Sequence, residues 1–377
     1  MYRLIVFLFL ETLTLFPAIA DNNCQNLISF GTIKLVQLAN DARLYVPVEI
    51  AGAPKLMLLD TGSERTVITK TAADELHLSS RWTETAFYDA WAGKANHMAS
   101  APFKLGALNG DVTFWMYSTA QANQSHDPHV AGTLGYDVLM KFDVAIDFGA
   151  QTLTLFSPEH CEGKVVYWPE RPVVAIPFRF KKVTLQRYSP LPPMDKILFV
   201  FPISLDHQEV KGLLASGDEA SSIEQRKAVG KFDLMLGAPN VPDVATAKKL
   251  FGYEVAPNQT HTSDYMAQSP LNPPDNTAKR AKRDSTFTHR FGSVAFGNIT
   301  VNNPEIHIVP DVEIHPDLQL KTGTLLDRES RAEEKNESLI RLGINLLQHL
   351  RVYVAYRDRM IYVSPASTEK IGTTRMP

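Results

Sequence analysis

Several things are missing from this 377-residue chain. It has no long basic run, and its formal net charge is −3, which gives no surface for nucleic acid. No Walker, Rossmann, zincin or G-x-S-x-G pattern occurs, so the sequence names no nucleotide, dinucleotide, zinc or serine-nucleophile chemistry and no cofactor. Only two cysteines are present, Cys24 and Cys161, and neither has a catalytic setting. No apolar run is long enough to span a bilayer, because Glu11 and Pro17 interrupt the only candidate.

What is present at the start reads as a secretory signal over residues 1–20. Arg3 supplies the positive end, Leu4 to Leu10 and Thr12 to Phe16 the apolar stretch, and Ala18-Ile19-Ala20 a small-residue cleavage site. The expectation is an exported protein, periplasmic or secreted, with a mature chain from near Asp21. In an oxidising compartment Cys24 and Cys161 are expected to be bridged. Four N-x-[ST] sequons, at Asn123, Asn258, Asn298 and Asn336, matter only where the source glycosylates. Apolar content of 44% and charged content of 21% describe an ordinary folded protein, and the length asks for two domains.

The chain is written twice. MLLDTGSERTVI (Met57 to Ile68) and GLLASGDEASSI (Gly212 to Ile223) align without a gap at an offset of 155 residues. GTLGYDVLMKFDVAIDFGAQTLTLF (Gly132 to Phe156) and IRLGINLLQHLRVYVAYRDRMIYVS (Ile340 to Ser364) align at 208, so the second copy is longer by 53 residues. The copies are expected to be two lobes, residues 23–161 and 196–367, joined by a connector at 162–195 that holds one apolar strand, Val173 to Phe180. Much of the excess falls near 257–285, rich in Asn, Pro, Thr and Ser, which reads as a surface loop without order of its own. Most local patterns are strand-like, with a hairpin turn at Ala51 to Pro54 between apolar runs. Helical signals are few: Lys70 to Leu76, Tyr136 to Phe142 and Val244 to Phe251. The predicted fold class is all-β, two lobes facing each other across a cleft with few short helices.

Leu58-Leu59-Asp60-Thr61-Gly62-Ser63, with Leu134-Gly135-Tyr136-Asp137-Val138-Leu139 and Val144-Ala145-Ile146-Asp147-Phe148 downstream, resembles the pepsin and retropepsin-like aspartic proteases. The residue types make chemical sense by themselves. An apolar strand presents the Asp60 carboxylate at a turn, Gly62 permits a shape that a side chain would strain, and Thr61 and Ser63 are short hydroxyl donors. The resemblance implies peptide hydrolysis with Asp60 as catalytic acid, on a polypeptide substrate, without metal. It also implies a flap hairpin over the substrate, for which Phe87 to Gly93 is the candidate, with Tyr88 or Trp91 near the peptide. His126-Asp127-Pro128-His129 reads as a solvated turn, since no third metal ligand accompanies it.

The reaction uses two carboxylates that share a proton, one drawing a proton from water and the other polarising the scissile carbonyl. Here the second lobe departs from the pattern. It keeps Ser216 and Gly217 but has Ala215 where the acid belongs, followed by Asp218. Three readings are open. Asp60 pairs with Asp60 of another chain in a homodimer; or Asp218 swings into the vacancy, against which it is simply an exposed turn residue; or the chemistry is gone and the chain binds extended peptide as a pseudo-protease.

Overall fold

The computed structural model describes residues 26–39, 41–89, 93–117, 127–168, 172–185, 194–217, 221–225, 260–262, 285–308 and 338–367. The leader expected at 1–20, Cys24, Trp91, His126, Asp218 and the helix expected at Val244 to Phe251 lie outside them.

The repeat seen in the sequence is a repeat of strands. In the first copy Leu44–Ile50 and Ala53–Leu59 form a hairpin whose turn residues, Ala51 and Gly52, have φ of 48° and 83°. Two successive positive values are what a tight hairpin with native twist requires. In the second copy Met194–Leu205 and Gln208–Leu214 close in the same way through Asp206 and His207, at φ 45° and 65°. The offset of 155 carries Ala53–Leu59 onto Gln208–Leu214 residue for residue.

Each copy then inserts one strand beside this hairpin. Val130–Leu134 runs parallel to Ala53–Leu59 and antiparallel to Val67–Ile68. Ser338–Leu342 does the same with Gln208–Leu214 and Ser221–Gln225. The first insertion is tight: a Cβ on Gly132 would collide with the Val67 carbonyl oxygen. A short helix follows each inserted strand, Tyr136–Leu139 and Ile344–Leu347. The first is shorter than the sequence suggested, because residues 140–142 turn the chain into the next strand. The expected helix after Thr69 is Lys70–Glu75, with the Thr69 hydroxyl capping Ala72 N.

A six-stranded antiparallel sheet joins the copies. Its order is Ser29–Lys34, Thr152–Phe156, Asp143–Asp147, Leu350–Ala355, Met360–Pro365, Val174–Pro177. Ala145 pairs with Tyr353 at its centre, and the two are equivalents at the offset of 208. An equivalent pair facing itself across antiparallel strands marks a local two-fold relation. One face of this base sheet is apolar (Val144, Ile146, Val352, Val354, Ile361 and Val363) and belongs to the main core. The opposite face carries Ala145, Tyr353 and Tyr362 beneath Val165 and Trp168, in a separate cluster. The sheet's outer strands are blunted, one by a register break between Ser29 and Thr32 and the other by Pro177.

The connector contributes strands to two sheets: Val174–Pro177, within the expected Val173 to Phe180, closes the base sheet, and Arg179–Leu185 pairs with Met194–Leu205. Of the stretch near 257–285, Thr260–Thr262 is described, as a strand paired to Ser285–Arg290. Backbone pairing holds that strand, which composition does not register.

Candidate active site

The apolar strand Ala53–Leu59 ends at Asp60. Its backbone N–H donates to the Leu134 carbonyl at 3.1 Å, and Ser63 N donates to the Asp60 carbonyl at 3.2 Å, which closes the turn. Gly62 N donates to Asp60 Oδ1 at 2.8 Å, so the turn holds the carboxylate it presents. In the second copy Ala215 N donates to the Leu342 carbonyl at 3.1 Å. That is the same bond made by equivalent residues; the backbone of the motif is intact where its acid is lost.

The two turns meet within one chain. Thr61 N donates to Ser216 Oγ at 3.0 Å, and Ser216 N donates to Thr61 Oγ1 at 3.3 Å. Ser216 Oγ donates in turn to the Leu59 carbonyl at 2.7 Å. Both hydroxyl residues are buried, so the exchange occurs away from competing water. The glycines allow this approach. A Cβ on Gly217 would stand 2.5 Å from Asp60 Cγ and 2.6 Å from Oδ2, while one on Gly62 would stand 3.4 Å from Ala215 Cα. Asp60 therefore leans across the junction onto the second turn. It is 8% exposed, against 0% for Ala215. This chain's own Ala215 turn stands opposite Asp60. Asp218, which would have to swing into the vacancy, lies outside the described residues.

A brace behind the first turn was not signalled by the motif. Thr66 donates from N and Oγ1 to the Asp137 carboxylate at 3.0 and 2.6 Å, and Gly135 N donates to Thr66 Oγ1 at 3.1 Å. Tyr136 N donates to the Ser63 carbonyl at 2.9 Å, and the Tyr136 hydroxyl donates to Glu64 at 3.1 Å. Burial, with the Glu64 charge added, pushes that phenol well above its usual range, so it stays a donor. Asp137 was visible in the sequence as part of a pattern; Thr66 carried no signal, because its partners are about 70 residues away. Ser63 directs its own hydroxyl to the Arg65 carbonyl at 2.9 Å.

Ser80–Asp89 and Gly93–Leu105 form the hairpin expected as a flap, paired at Tyr88 with Lys94 and Asp89 with Gly93. Trp91 lies outside the described residues. His129 N donates to Asp127 Oδ1 at 2.8 Å, a local turn.

Residues 46–138 match the family model described as "Aspartyl protease". Over these residues the first copy is similar to the aspartyl protease family. Among solved structures, the crystal structure of aspartic proteinase from Irpex lacteus is similar at 12% identity and a TM-score of 0.43, covering 90% of this chain and 98% of that one. No curated protein matches. The aspartyl protease match takes in Asp60, the Thr66–Asp137 brace and the hairpin of Ser80–Asp89 with Gly93–Leu105, and it leaves out the base sheet and the second copy.

Proposed function

We propose that the chain is an exported aspartic-type peptidase that takes an extended polypeptide into a cleft between its lobes and hydrolyses it with water activated by Asp60. One observation carries this reading: Asp60 sits where the two copies interlock, its carboxylate anchored by Gly62 N and set against Gly217. An ionised carboxylate so placed can take a proton from water. Ala215 offers no second acid to polarise the carbonyl. General acid–base assistance is worth roughly 10²–10⁴-fold, so turnover should fall short of a two-acid site by about that factor. Thr61, Gly62 and Ser63 act as supports of the carboxylate, Ser216 and Gly217 as its counterpart wall, and Tyr88 with Trp91 as flap residues. A single chain provides both walls, which supports a monomer as the working state over the homodimer. Export rests on the leader at residues 1–20.

The buried methyl of Ala215 favours one second reading, a pseudo-protease that holds extended peptide by strand addition. Cleavage of an unfolded protein at acid pH, by the parent and by Asp60→Asn, separates the two. Cleavage that disappears in the variant supports the peptidase. Peptide binding without cleavage in either protein supports the second reading and overturns the first.

A further inference from the structure

The outer face of the base sheet holds a second group of buried ionisable side chains that the Asp60 chemistry does not use. The side chains of His160 and Asp143 are both fully buried, with His160 Nε2 at 2.5 Å from Asp143 Oδ2. The other ring nitrogen, Nδ1, faces the Cys161 carbonyl oxygen at 3.0 Å. A carbonyl only accepts, so Nδ1 carries hydrogen; Nε2 faces a carboxylate that also accepts from the Tyr353 hydroxyl at 3.1 Å. A proton must also lie between Nε2 and Oδ2, so the His160–Asp143 pair holds two protons in this arrangement. Asp143 Oδ1 is buried with no hydrogen-bond partner, so this carboxylate depends on the two donors it has.

His160 lies in a strap, residues 157–168, that crosses the base sheet. Ser157 N donates to the Ile28 carbonyl at 2.9 Å, Val165 is wholly buried, and the Arg351 guanidinium stands 4.2 Å over the Trp168 ring and 4.8 Å over Tyr167. Arg357 reaches the Pro158 carbonyl at 3.4 Å. Most of these contacts are apolar, stacking or backbone bonds that do not titrate near neutrality. We propose that the two-proton His160–Asp143 pair, bonded to the Cys161 carbonyl, is a proton-operated latch that holds the strap on the base sheet in acid and releases it in alkali.

The charged surroundings agree in sign. Burial alone would lower the imidazole, but the Cys161 carbonyl, the hydrogen bond and charge of Asp143, and the charge of Asp358 raise it above its usual 6.5. Burial raises the Asp143 carboxyl too, against the opposing pull of His160 and Tyr353. Glu162 of the strap, Asp358, Tyr353, Tyr356 and Tyr362 are other titratable groups around the pair, and the three tyrosines are raised, first by burial, and stay neutral. The folded state thus holds protons more tightly than the unfolded chain. The His160 contribution is complete below the unfolded value of about 6.5 and is lost as pH rises through the higher folded value.

The experiment uses the full chain. The ring-proton signals of its 11 histidines are followed by NMR from pH 5 to 9, with His160 assigned by its loss in His160→Gln. Urea unfolding midpoints are measured over the same range. The expected result is a His160 titration above pH 7, a parent midpoint that falls as pH rises, and a variant midpoint that is lower in acid and flat. Each pH unit of upward shift corresponds to tenfold in the folded-to-unfolded ratio. A His160 signal titrating at or below about 6.5 overturns the latch, as does a variant that keeps the parent's slope. If His160→Gln does not fold, site-selective labelling of the parent gives the same titration and decides alone.

Discussion

Thr61 and Ser216 are equivalent residues of the two copies, and each accepts a backbone hydrogen bond from the other, at 3.3 and 3.0 Å. The chain has kept this clasp and lost the acid beside it. The hydroxyl serves the fold, since without it buried N–H groups at the junction would lose their acceptors. The acid at 215 serves only chemistry, and the backbone bond of its residue persists without it.

Ser216→Ala removes the acceptor for Thr61 N and the donor to the Leu59 carbonyl, both buried. A cost of about 1–3 kcal/mol is expected, read from urea unfolding. Ser216→Thr keeps the hydroxyl and should recover most of that loss. Equal stability of Ser216→Ala and the parent would mean that the clasp does not hold the copies together.

Gly217→Ala tests the opposite side of the same junction. The added carbon would stand 2.5 Å from Asp60 Cγ and 2.9 Å from its Cβ, so the Asp60 side chain would have to shift from its place. About 1–3 kcal/mol of destabilisation is expected, with loss of any Asp60-dependent cleavage. Gly110→Ala, where nothing lies within 4 Å of the new carbon, is the control and should leave both properties unchanged.

Restoring the acid with Ala215→Asp should create a proton-sharing pair. By the two-fold relation the new carboxylate should approach Gly62 as Asp60 approaches Gly217. Ala215 is wholly buried, so the new group is desolvated as well as repelled by Asp60, and both effects raise one of the two pKa values. A gain in peptidase activity with a bell-shaped acidic profile is expected, at a stability cost of about 1–3 kcal/mol. Asp60→Asn in the same background should abolish the gain. A folded variant that cleaves no better than the parent would show that the junction lacks the geometry for shared-proton chemistry.

Cys24 and Cys161 are expected to be joined. A bridge closing a loop of this length stabilises by about 4–5 kcal/mol in the chain-entropy model. It would also tether the strap that carries His160 at the residue whose carbonyl receives Nδ1. Mass measurement after alkylation without reductant decides: two labels on the intact protein would exclude the bridge.

The repeat registers determined more than composition did. An offset of 155 fixed which hairpin strands correspond, down to a turn made by Ala51-Gly52 in one copy and Asp206-His207 in the other. An offset of 208 fixed the inserted strand, the short helix and the paired central strands. These are legible because strand length, apolar alternation and turn residues are local properties of the chain. Asp60 was legible for the same reason, since its turn is written in consecutive residues.

What the sequence could not determine is who meets whom. That Thr61 meets Ser216, that Val174–Pro177 closes a sheet begun by Ser29–Lys34, and that His160 is buried against Asp143 were decided by tertiary structure. His160 sits in Glu159-His160-Cys161-Glu162, a stretch with every local mark of a solvated connector. Its burial depends on Tyr353, 193 residues further on, reaching the same carboxylate from the other copy. No pattern within a short window carries that contact, because it exists only once two distant strands have paired and a third segment has closed over them.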